Sequence, residues 1–313
     1  MQTDASTFPL LGMNVYTYGL FLALGTLVFA GLMWKLSKRD NNQDAALLGT
    51  VLGIPLALVL SRALYCVSDS NFYAVSSFKN ALQVSSGGLS MFGALAGMLL
   101  GLYPAARAMK KSPLNLMDAF APASLAFIFF ARLGESQTSL GISRPLVTGL
   151  LKNSFLAYAD TYDTYLKTWL VEAAVAAVLC LVLYMLWRKA TREGFTFTLW
   201  MLLFGATQTI LESLRYDGHM RFSFIGLQQV LSAFLFGIAI ILIALACLRQ
   251  KKEGKMPLIL LVMLAVTVFA AVGLEFLIDR SGINKALLYL VYALLMALPT
   301  AMAIHLQKRC ING

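Results

Sequence analysis

The sequence contains little charge. Charged residues make up 13% of its 313 residues, about half of the roughly 25% that is typical of soluble domains. Hydrophobic residues make up 59%. This composition excludes a soluble globular domain, a disordered chain and a nucleic-acid-binding domain. The formal net charge of +10 therefore indicates membrane topology and gives no reason to expect nucleic acid as a partner.

Cysteine and histidine are also scarce. The hydrophobic composition excludes a secreted disulfide scaffold. The four cysteines stand far apart without a Cys-x-x-Cys pair, a spacing that gives no metal site. The two histidines are too few to build a metal centre. The sequence therefore predicts no metal site and no cofactor, and it predicts that the cysteines are small core hydrophobes. These cysteines are Cys66, Cys180, Cys247 and Cys310.

Nine long apolar runs dominate the chain. Each approaches the 20 or so residues that a helix needs to cross a bilayer. The runs are 14–34, 45–66, 87–106, 114–131, 168–187, 195–213, 224–248, 257–277 and 286–305. The first run lacks the positive start and the cleavage site of a signal peptide, so we expect a retained helix. The pattern predicts an all-α, polytopic integral membrane protein with about nine transmembrane helices.

Basic residues divide unevenly between alternate loops. One set of loops, with the C-terminal tail, holds 15 of the 25 Lys and Arg residues in five dense clusters, and the other set holds 10 over longer segments. The dense clusters lie at 35–39, 107–111, 188–192, 249–255 and 308–309. By the positive-inside rule the dense set is cytoplasmic, which places the N-terminus outside and the C-terminus in the cytoplasm. An external partner would then meet the two longest outer stretches, 66–87 and 132–167.

Six ionisable residues lie near the predicted outer ends of the spans. They are Arg62, Arg132, Glu135, Glu172, Glu212 and Arg215. An ionisable side chain in a span is unfavourable unless it is paired or solvated, so each is a functional candidate. Interfacial ion pairs that hold helix ends together are the simpler explanation, and one shared polar cavity is the sharper one. Asp118 lies at the inner start of its span and is predicted to be a surface residue.

A glycine-rich stretch opens the third span. Gly87, Gly88 and Ser90 lead it, and Gly97 and Gly101 continue at helical spacing. One interpretation is a seam of small residues at which two helices approach closely. The other is a helix N-terminus whose free backbone N–H groups accept the phosphate of a lipid head group. The sequence leaves both open.

Taken in order, these segments resemble the prolipoprotein diacylglyceryl transferase family. The family has Tyr-Gly in its first span, as at 18–19. Its second span ends in a stretch like Ala-Arg-Leu-Gly-Tyr, whose Arg and Tyr are matched in SRALY at 61–65. Its segment Gly-Gly-x-Ser-x-His-Gly-Gly is resembled by GGLSMFGA at 87–94. Its signature Gly-Arg-Ile-Gly-Asn is similar to ARLGE at 131–135. Further similar segments are WLVE at 169–172, FGATQTILESLR at 204–215 and QQVLS at 228–232. The resemblance covers about residues 14–248.

The chain also departs from the family pattern. Phe92 stands at the family histidine, Glu135 at the signature asparagine and Gln208 at one arginine of the sixth-span motif. Phe204 replaces that motif's leading tyrosine, and Val171 stands where the family has a second tyrosine, in its Gln-Leu-Tyr-Glu segment. The resemblance therefore supports the fold more strongly than the activity.

The resemblance implies an enzyme that moves the diacylglyceryl group of phosphatidylglycerol, or a similar anionic phospholipid, to the lipobox cysteine of a preprolipoprotein. The candidate catalytic residues are Arg132 and Glu212, which match family motif positions, and Glu135, which stands where the family has asparagine. The substrate-binding residues are Tyr18, Arg62, Gly87, Gly88, Ser90, Gly134, Glu172 and Arg215. With Phe92 at the family histidine, the candidate bases for the thiol are Glu135, Glu172 and Glu212. Glu135 is either that base or a group that neutralises Arg132.

The implied location is the bacterial plasma (inner) membrane, with the lipid, the preprolipoprotein signal peptide and the bilayer as partners. Residues 1–250 are predicted to form a seven-span transferase-like domain, and 251–313 an appended hairpin with a cytoplasmic tail. Two alternatives stay open at this point. One is a catalytically silent relative that binds lipid or a lipidated peptide as an accessory protein. The other is a transporter, although its polar groups would lie on broken helices at mid-membrane.

Overall fold

The structure, a computed structural model, describes residues 7–10, 13–68, 88–138, 140–145, 150–216, 221–251 and 253–311. Nine helices in this part of the chain are long and apolar enough to cross a membrane, which confirms the all-α polytopic fold. They are α1 (Thr17–Ser37), α2 (Gln43–Ser68), α3 (Met91–Ala108), α4 (Pro113–Glu135), α5 (Thr168–Lys189), α6 (Phe195–Leu214), α7 (Leu227–Arg249), α8 (Met256–Arg280) and α9 (Lys285–Ile311). The orientation of the termini stays a prediction. We call the end of the bundle that carries Glu135 and Glu212 the outer end, following that prediction.

Short strands lie before α1 and in the outer connections that follow α4 and α6. They are β1 (Thr7–Leu10), β2 (Met13–Tyr16), β3 (Ile142–Pro145), β4 (Ala157–Ala159), β5 (Thr164–Lys167), β6 (Arg221–Phe222) and β7 (Ile225–Gly226). All pairings are antiparallel, with β1 on β2, β6 on β7, and β5 between β3 and β4. The three-stranded sheet and a 3₁₀ turn (Leu150–Asn153) lie in the long stretch between α4 and α5. Most of the outer stretch 66–87, including Gly87, lies outside the described residues.

Two helices differ from the predicted runs in a way that shapes the site. α3 begins at Met91, four residues later than the apolar run, because Ser90 is the N-cap of the helix. α4 continues to Glu135, four residues beyond its run. Arg132 and Glu135 therefore lie in the last turn of a helix on one face, and not in a loop.

A seam of glycines joins α2 to α3. A Cβ atom on Gly97 would lie 2.5 Å from backbone atoms of Ala57, and one on Gly101 would lie 2.4 Å from the Cα of Gly53. Only residues without side chains allow the two backbones to approach this closely. The packing interpretation of Gly97 and Gly101 is therefore confirmed.

The remaining helices pack both on sequence neighbours and on distant helices. α1 lies against α4, α4 against α5 and α6, and α6 against α7. The last two helices form a hairpin that packs on α6 and α7. The division into a seven-span domain and an appended hairpin stays a prediction. The hairpin packs directly on α6, whose outer end contributes to the site described below.

Two of the four cysteines differ from expectation. Cys247 of α7 and Cys310 of α9 form a disulfide, with their Cα atoms 5.3 Å apart. The prediction that all four are simple core hydrophobes was wrong for this pair, because the hairpin places α9 beside α7 and brings distant positions together. Cys66 and Cys180 are free thiols, buried and half-buried respectively, as expected.

Asp118 is a second correction. The residue is 5% exposed, so the prediction of a surface position was wrong. Its carboxylate accepts hydrogen bonds from the backbone N–H groups of Gly194 at 2.7 Å and of Phe197 at 2.8 Å. Gly194 is the N-cap residue of α6 and has no side chain to cap the helix itself. Asp118 performs that capping from the neighbouring helix.

Candidate functional site

A buried group of five charged residues and one glutamine lies where the outer ends of α4, α5 and α6 meet. We call it the outer ion-pair cluster; its members are Arg132, Glu135, Glu172, Gln208, Glu212 and Arg215. Each is between 2% and 8% exposed. Five of the six residues were predicted as site residues, and the structure brings these five together.

Arg132 lies at the centre of the cluster. Its Nη1 is 2.5 Å from Oε1 of Glu135, one helical turn away on α4. Its Nε is 2.7 Å from Oε2 of Glu172 on α5, and its Nη2 is 3.7 Å from Oε1 of Glu212 on α6. The Sδ of Met91 also lies 3.5 Å from Nη2. One guanidinium therefore joins carboxylates from three helices.

Arg215 follows the end of α6 and meets two of the same carboxylates. Its Nη2 is 3.1 Å from Oε2 of Glu135, and its Nη1 is 3.1 Å from Oε1 of Glu172. Glu135 and Glu172 thus each bridge both arginines. The α6 helix has already ended at Leu214, so Arg215 does not continue the helix face on which Glu212 lies.

Gln208 belongs to the cluster, although the sequence analysis did not predict it as a site residue. Its Nε2 donates to Oε1 of Glu212 at 2.9 Å and lies 3.3 Å from Oε2 of Glu172. The residue had been noted only because an arginine is usual at this position in the family. Its neutral amide supplies hydrogen bonds to the carboxylates but no positive charge.

The charges of the cluster do not balance when every group is ionised. Three carboxylates face two guanidinium groups, which leaves one excess negative charge in a buried site where electrostatic interactions are strong. The cluster can therefore accept one proton and reach neutrality. Both guanidinium groups already have carboxylate partners, so an incoming phosphate must compete with Glu135 or Glu172 for them.

Glycine and tyrosine line the edge of the cluster. A Cβ on Gly134 would lie 2.9 Å from the ring of Tyr18, which packs there from α1. Gly141, which the sequence analysis missed, has a φ of +69°, and a Cβ there would lie 2.7 Å from Oε2 of Glu135. A positive φ cannot be recognised from one sequence, although a glycine six residues beyond Glu135 was the available signal.

Arg62 and the glycine-rich segment form a neighbouring region. The Nη1 of Arg62 donates to the carbonyl oxygen of Gly88 at 3.0 Å, and its guanidinium lies 5.6 Å from the ring centre of Tyr65. Gly88 has a φ of +73°, and a Cβ there would lie 2.4 Å from that ring. Arg62 thus holds the segment that leads into α3.

Ser90 caps the start of α3. Its Oγ accepts from the backbone N–H of Gly93 at 3.4 Å and from Nε2 of Gln228 at 3.3 Å. The hydroxyl thereby occupies part of the helix N-terminus that was a candidate phosphate site. Close by, the Phe92 ring lies 6.3 Å from the Phe204 ring, so this wall is apolar where the resembled family has a histidine and a tyrosine.

The prolipoprotein diacylglyceryl transferase family model matches residues 6–245. The chain belongs to this family. All six residues of the outer ion-pair cluster fall inside the match, whereas α8 and α9 lie beyond its end.

Individual relatives agree with this assignment. A phosphatidylglycerol–prolipoprotein diacylglyceryl transferase of Clostridium novyi is 25% identical over 79% of this chain and 98% of its own length. The enzyme of that name from Tropheryma whipplei is 26% identical over 80% of the chain and 94% of its own length. That from Bacillus licheniformis is 27% identical over 76% and 90% respectively. Family membership and nine helices able to span a membrane make this a multi-pass protein of the bacterial inner membrane.

Proposed function

We propose that the protein transfers a diacylglyceryl group from phosphatidylglycerol, or a similar anionic phospholipid, to the lipobox cysteine thiol of a preprolipoprotein. The observation that supports this most is a guanidinium at a three-helix junction in a member of this family. Arg132 holds that position, 7% exposed. Its planar fork can form two parallel hydrogen bonds to a phosphate.

The reaction breaks the bond between the diacylglyceryl carbon and a phosphate oxygen, and that oxygen keeps the electron pair. The cysteine sulfur forms a thioether with the same carbon, and glycerol phosphate leaves. Arg132 stabilises the negative charge that develops on the departing phosphate. Arg215 provides a second cation next to it, through the carboxylates that both arginines share.

The thiol proton needs an acceptor, and the cluster offers carboxylates only. Phe92 stands where the family has a histidine, so we assign the base role to Glu135, with Glu212 as the second catalytic carboxylate. The one excess negative charge of the ionised cluster supports this assignment, since taking up one proton neutralises it. Tyr18, Gly134 and Glu172 would then shape the lipid site around Arg132, and Arg62, Ser90 and the glycines would shape its second wall.

A second candidate is a catalytically silent relative that binds lipid or a lipidated peptide. The specific observation in its favour is that carboxylates already pair with both guanidinium groups of the cluster. The neutral Gln208 and the apolar Phe92 point in the same direction. The two candidates differ in turnover and not in lipid binding.

The deciding experiment is transfer of labelled phosphatidylglycerol to a lipobox peptide by the purified protein in nanodiscs. We expect turnover by the wild type and a loss of about 10²–10³-fold in Arg132→Ala, the usual effect of removing a fixed donor to a developing charge. Arg132→Lys should restore it only in part, because an ammonium lacks the bidentate fork. Arg309→Ala is the control, since that arginine is exposed and pairs with Glu253.

Unchanged turnover in Arg132→Ala would refute the role of Arg132. A wild type that binds the labelled lipid without transferring it would establish the silent relative instead. A wild type that neither binds nor transfers the lipid would exclude the transferase and would leave the silent relative only as a binder of lipidated peptide.

A further inference from the structure

The C-terminal hairpin buries an acidic residue inside a membrane-spanning helix. Glu275 lies in α8, five residues before the helix ends at Arg280, and is 5% exposed. A carboxylate within a span is unfavourable unless nearby polar groups hydrogen-bond to it, and such residues commonly serve a function. This one lies beyond residue 245, where the family match ends.

The carboxylate of Glu275 joins two helices of the bundle. Its Oε2 accepts a hydrogen bond from Oγ of Ser213 on α6 at 3.0 Å. Its Oε1 accepts one from Nε2 of Gln229 on α7 at 2.5 Å. Both oxygens are thus used, each on a different helix.

The second helix of the hairpin contacts the same groups. The hydroxyl of Tyr289 donates to the carbonyl oxygen of Ser213 at 3.0 Å. The hydroxyl of Tyr292, which is 1% exposed, lies 3.3 Å from Nε2 of Gln229. The hairpin therefore holds the outer ends of α6 and α7 through directed polar contacts in addition to apolar packing.

These contacts lie on the adjoining face of α6, about 100° around the helix from the face that meets the cluster. Gln208 and Glu212 point to the cluster, and the residues that follow each of them contact α7 or the hairpin. Gln229 donates to the carbonyl oxygen of Thr209 at 3.2 Å, and Ser213 binds Glu275. The outer end of α6 therefore contacts the outer ion-pair cluster on one face, and α7 and the hairpin on the next.

A second contact ties the hairpin to the strand over the site. Asp279 lies one turn beyond Glu275, and its Oδ1 is 2.5 Å from Nη2 of Arg144 in β3. The Arg144 guanidinium lies 4.6 Å from the ring centre of Tyr216, the residue after Arg215. The backbone N–H of Tyr216 donates to the carbonyl oxygen of Ile142 at 2.9 Å.

We propose that the hairpin is a working part of the site and that Glu275 is a positioning residue. Acting through Ser213 and Gln229, it fixes the outer end of α6 and so sets where Glu212 and Arg215 lie relative to Arg132. Its effect on transfer rests on the proposed function, whereas its effect on α6 does not. A seven-helix bundle without the hairpin would leave Ser213 and Gln229 without this carboxylate.

The test compares Glu275→Gln and Glu275→Ala with Glu253→Gln in full-length protein in nanodiscs. Hydrogen–deuterium exchange is measured for peptides that cover residues 208–216. We expect amide exchange there to become roughly tenfold faster in Glu275→Ala and less so in Glu275→Gln, because the amide keeps one acceptor. Glu253 lies at the other end of the hairpin and pairs with Arg309, so its variant should exchange as the wild type does.

Kinetics separate positioning from a general loss of structure. Where the wild type transfers lipid, kcat of Glu275→Gln should fall roughly tenfold with little change in the KM for lipid, since a small misplacement of reacting groups lowers the rate of the chemical step. Unchanged exchange at 208–216 in both Glu275 variants would overturn the proposal. A kcat equal to that of the wild type would do the same. If the wild type shows no turnover, the proposed function fails, and the exchange result alone decides the role of Glu275.

Discussion

The bundle buries carboxylates at both ends but satisfies them in different ways. At the outer end, Glu135 and Glu172 are held by the side chains of Arg132 and Arg215. At the inner end, Asp118 is held by backbone N–H groups at the start of α6. Backbone donors are fixed by the fold, whereas side-chain donors can exchange partners when a ligand enters. The inner arrangement thus suits stability and the outer one suits binding and chemistry.

Arg39 extends the contrast at the inner end. Its Nη2 donates to the carbonyl oxygen of Ala190 at 2.9 Å and its Nη1 to that of Trp187, both at the C-terminus of α5. A cation at this position also interacts favourably with the helix dipole. The inner charges therefore complete helix ends, while the outer charges pair mainly with one another.

The largest expected effect is an all-or-none difference between the two ends of the bundle in their accessibility to a membrane-impermeant reagent. In a variant without native cysteines, Lys255→Cys lies in the α7–α8 connection at the inner end, and Tyr162→Cys lies in the outer stretch, where the tyrosine is 89% exposed. We expect a membrane-impermeant thiol reagent on intact cells to label the cysteine at 162 and not that at 255.

Labelling at 255 in intact cells would reverse the predicted orientation and place the Asp118 region outside. Disrupted cells provide the control, because both cysteines should then react. Neither position takes part in a contact at either buried site.

The next effect concerns transfer activity. Arg132→Ala removes the cation shared by three carboxylates and should lower turnover about 10²–10³-fold. Asp118→Asn keeps an oxygen acceptor toward the α6 backbone and should leave turnover within about twofold, as expected of a change distant from the reacting groups. The labelled-lipid assay measures both variants. Equal losses would show that the two ends do not differ in function.

Local sequence was sufficient to predict the fold class and the number of spans. Nine apolar runs of membrane-spanning length predict nine helices, because each helix satisfies its own backbone and needs no information from distant residues. The disulfide between Cys247 and Cys310 and the capping role of Asp118 could not be predicted in this way. Both depend on which helices become neighbours.

The site was predictable in its members but not in its connections. The depth of Arg132 and Glu172 in their spans indicated a shared location. The extension of α4 that places Arg132 and Glu135 on one helix face was not predicted. The bonds from Arg215 to Glu135 and Glu172 join residues that are 80 and 43 positions apart. Only tertiary packing brings them together, and the inward position of Gln208 has the same origin.

A smaller effect is expected when Glu135 loses its charge. Glu135→Gln leaves Nη1 of Arg132 and Nη2 of Arg215 with weaker partners, so both become more available to a phosphate. We expect affinity for phosphatidylglycerol to rise roughly tenfold, as expected for about 1.4 kcal/mol. Transfer should fall if Glu135 is the base.

Lipid binding and turnover are measured separately to separate the two roles of Glu135. Tighter binding with preserved turnover would show that Glu135 only neutralises Arg132. Unchanged binding would show that the carboxylate does not compete with the lipid phosphate. Arg309→Ala again serves as the control for a remote change of charge.

The smallest effect is one of stability at the inner end. Asp118→Ala leaves the N–H groups of Gly194 and Phe197 without their acceptor, which should lower the free energy of unfolding by about 0.5–2 kcal/mol, as for loss of a helix N-cap. Glu193→Ala is the matched control, because Glu193 lies beside the same junction but is exposed and hydrogen-bonds Ser112 and Asn115. Its loss should change the free energy of unfolding by less than about 1 kcal/mol.

Thermal unfolding in detergent measures both variants, and equal midpoints for Asp118→Ala and the wild type would contradict the capping role. If the carboxylate serves stability alone, Asp118→Ala should unfold earlier and still transfer lipid at the wild-type rate below its unfolding temperature.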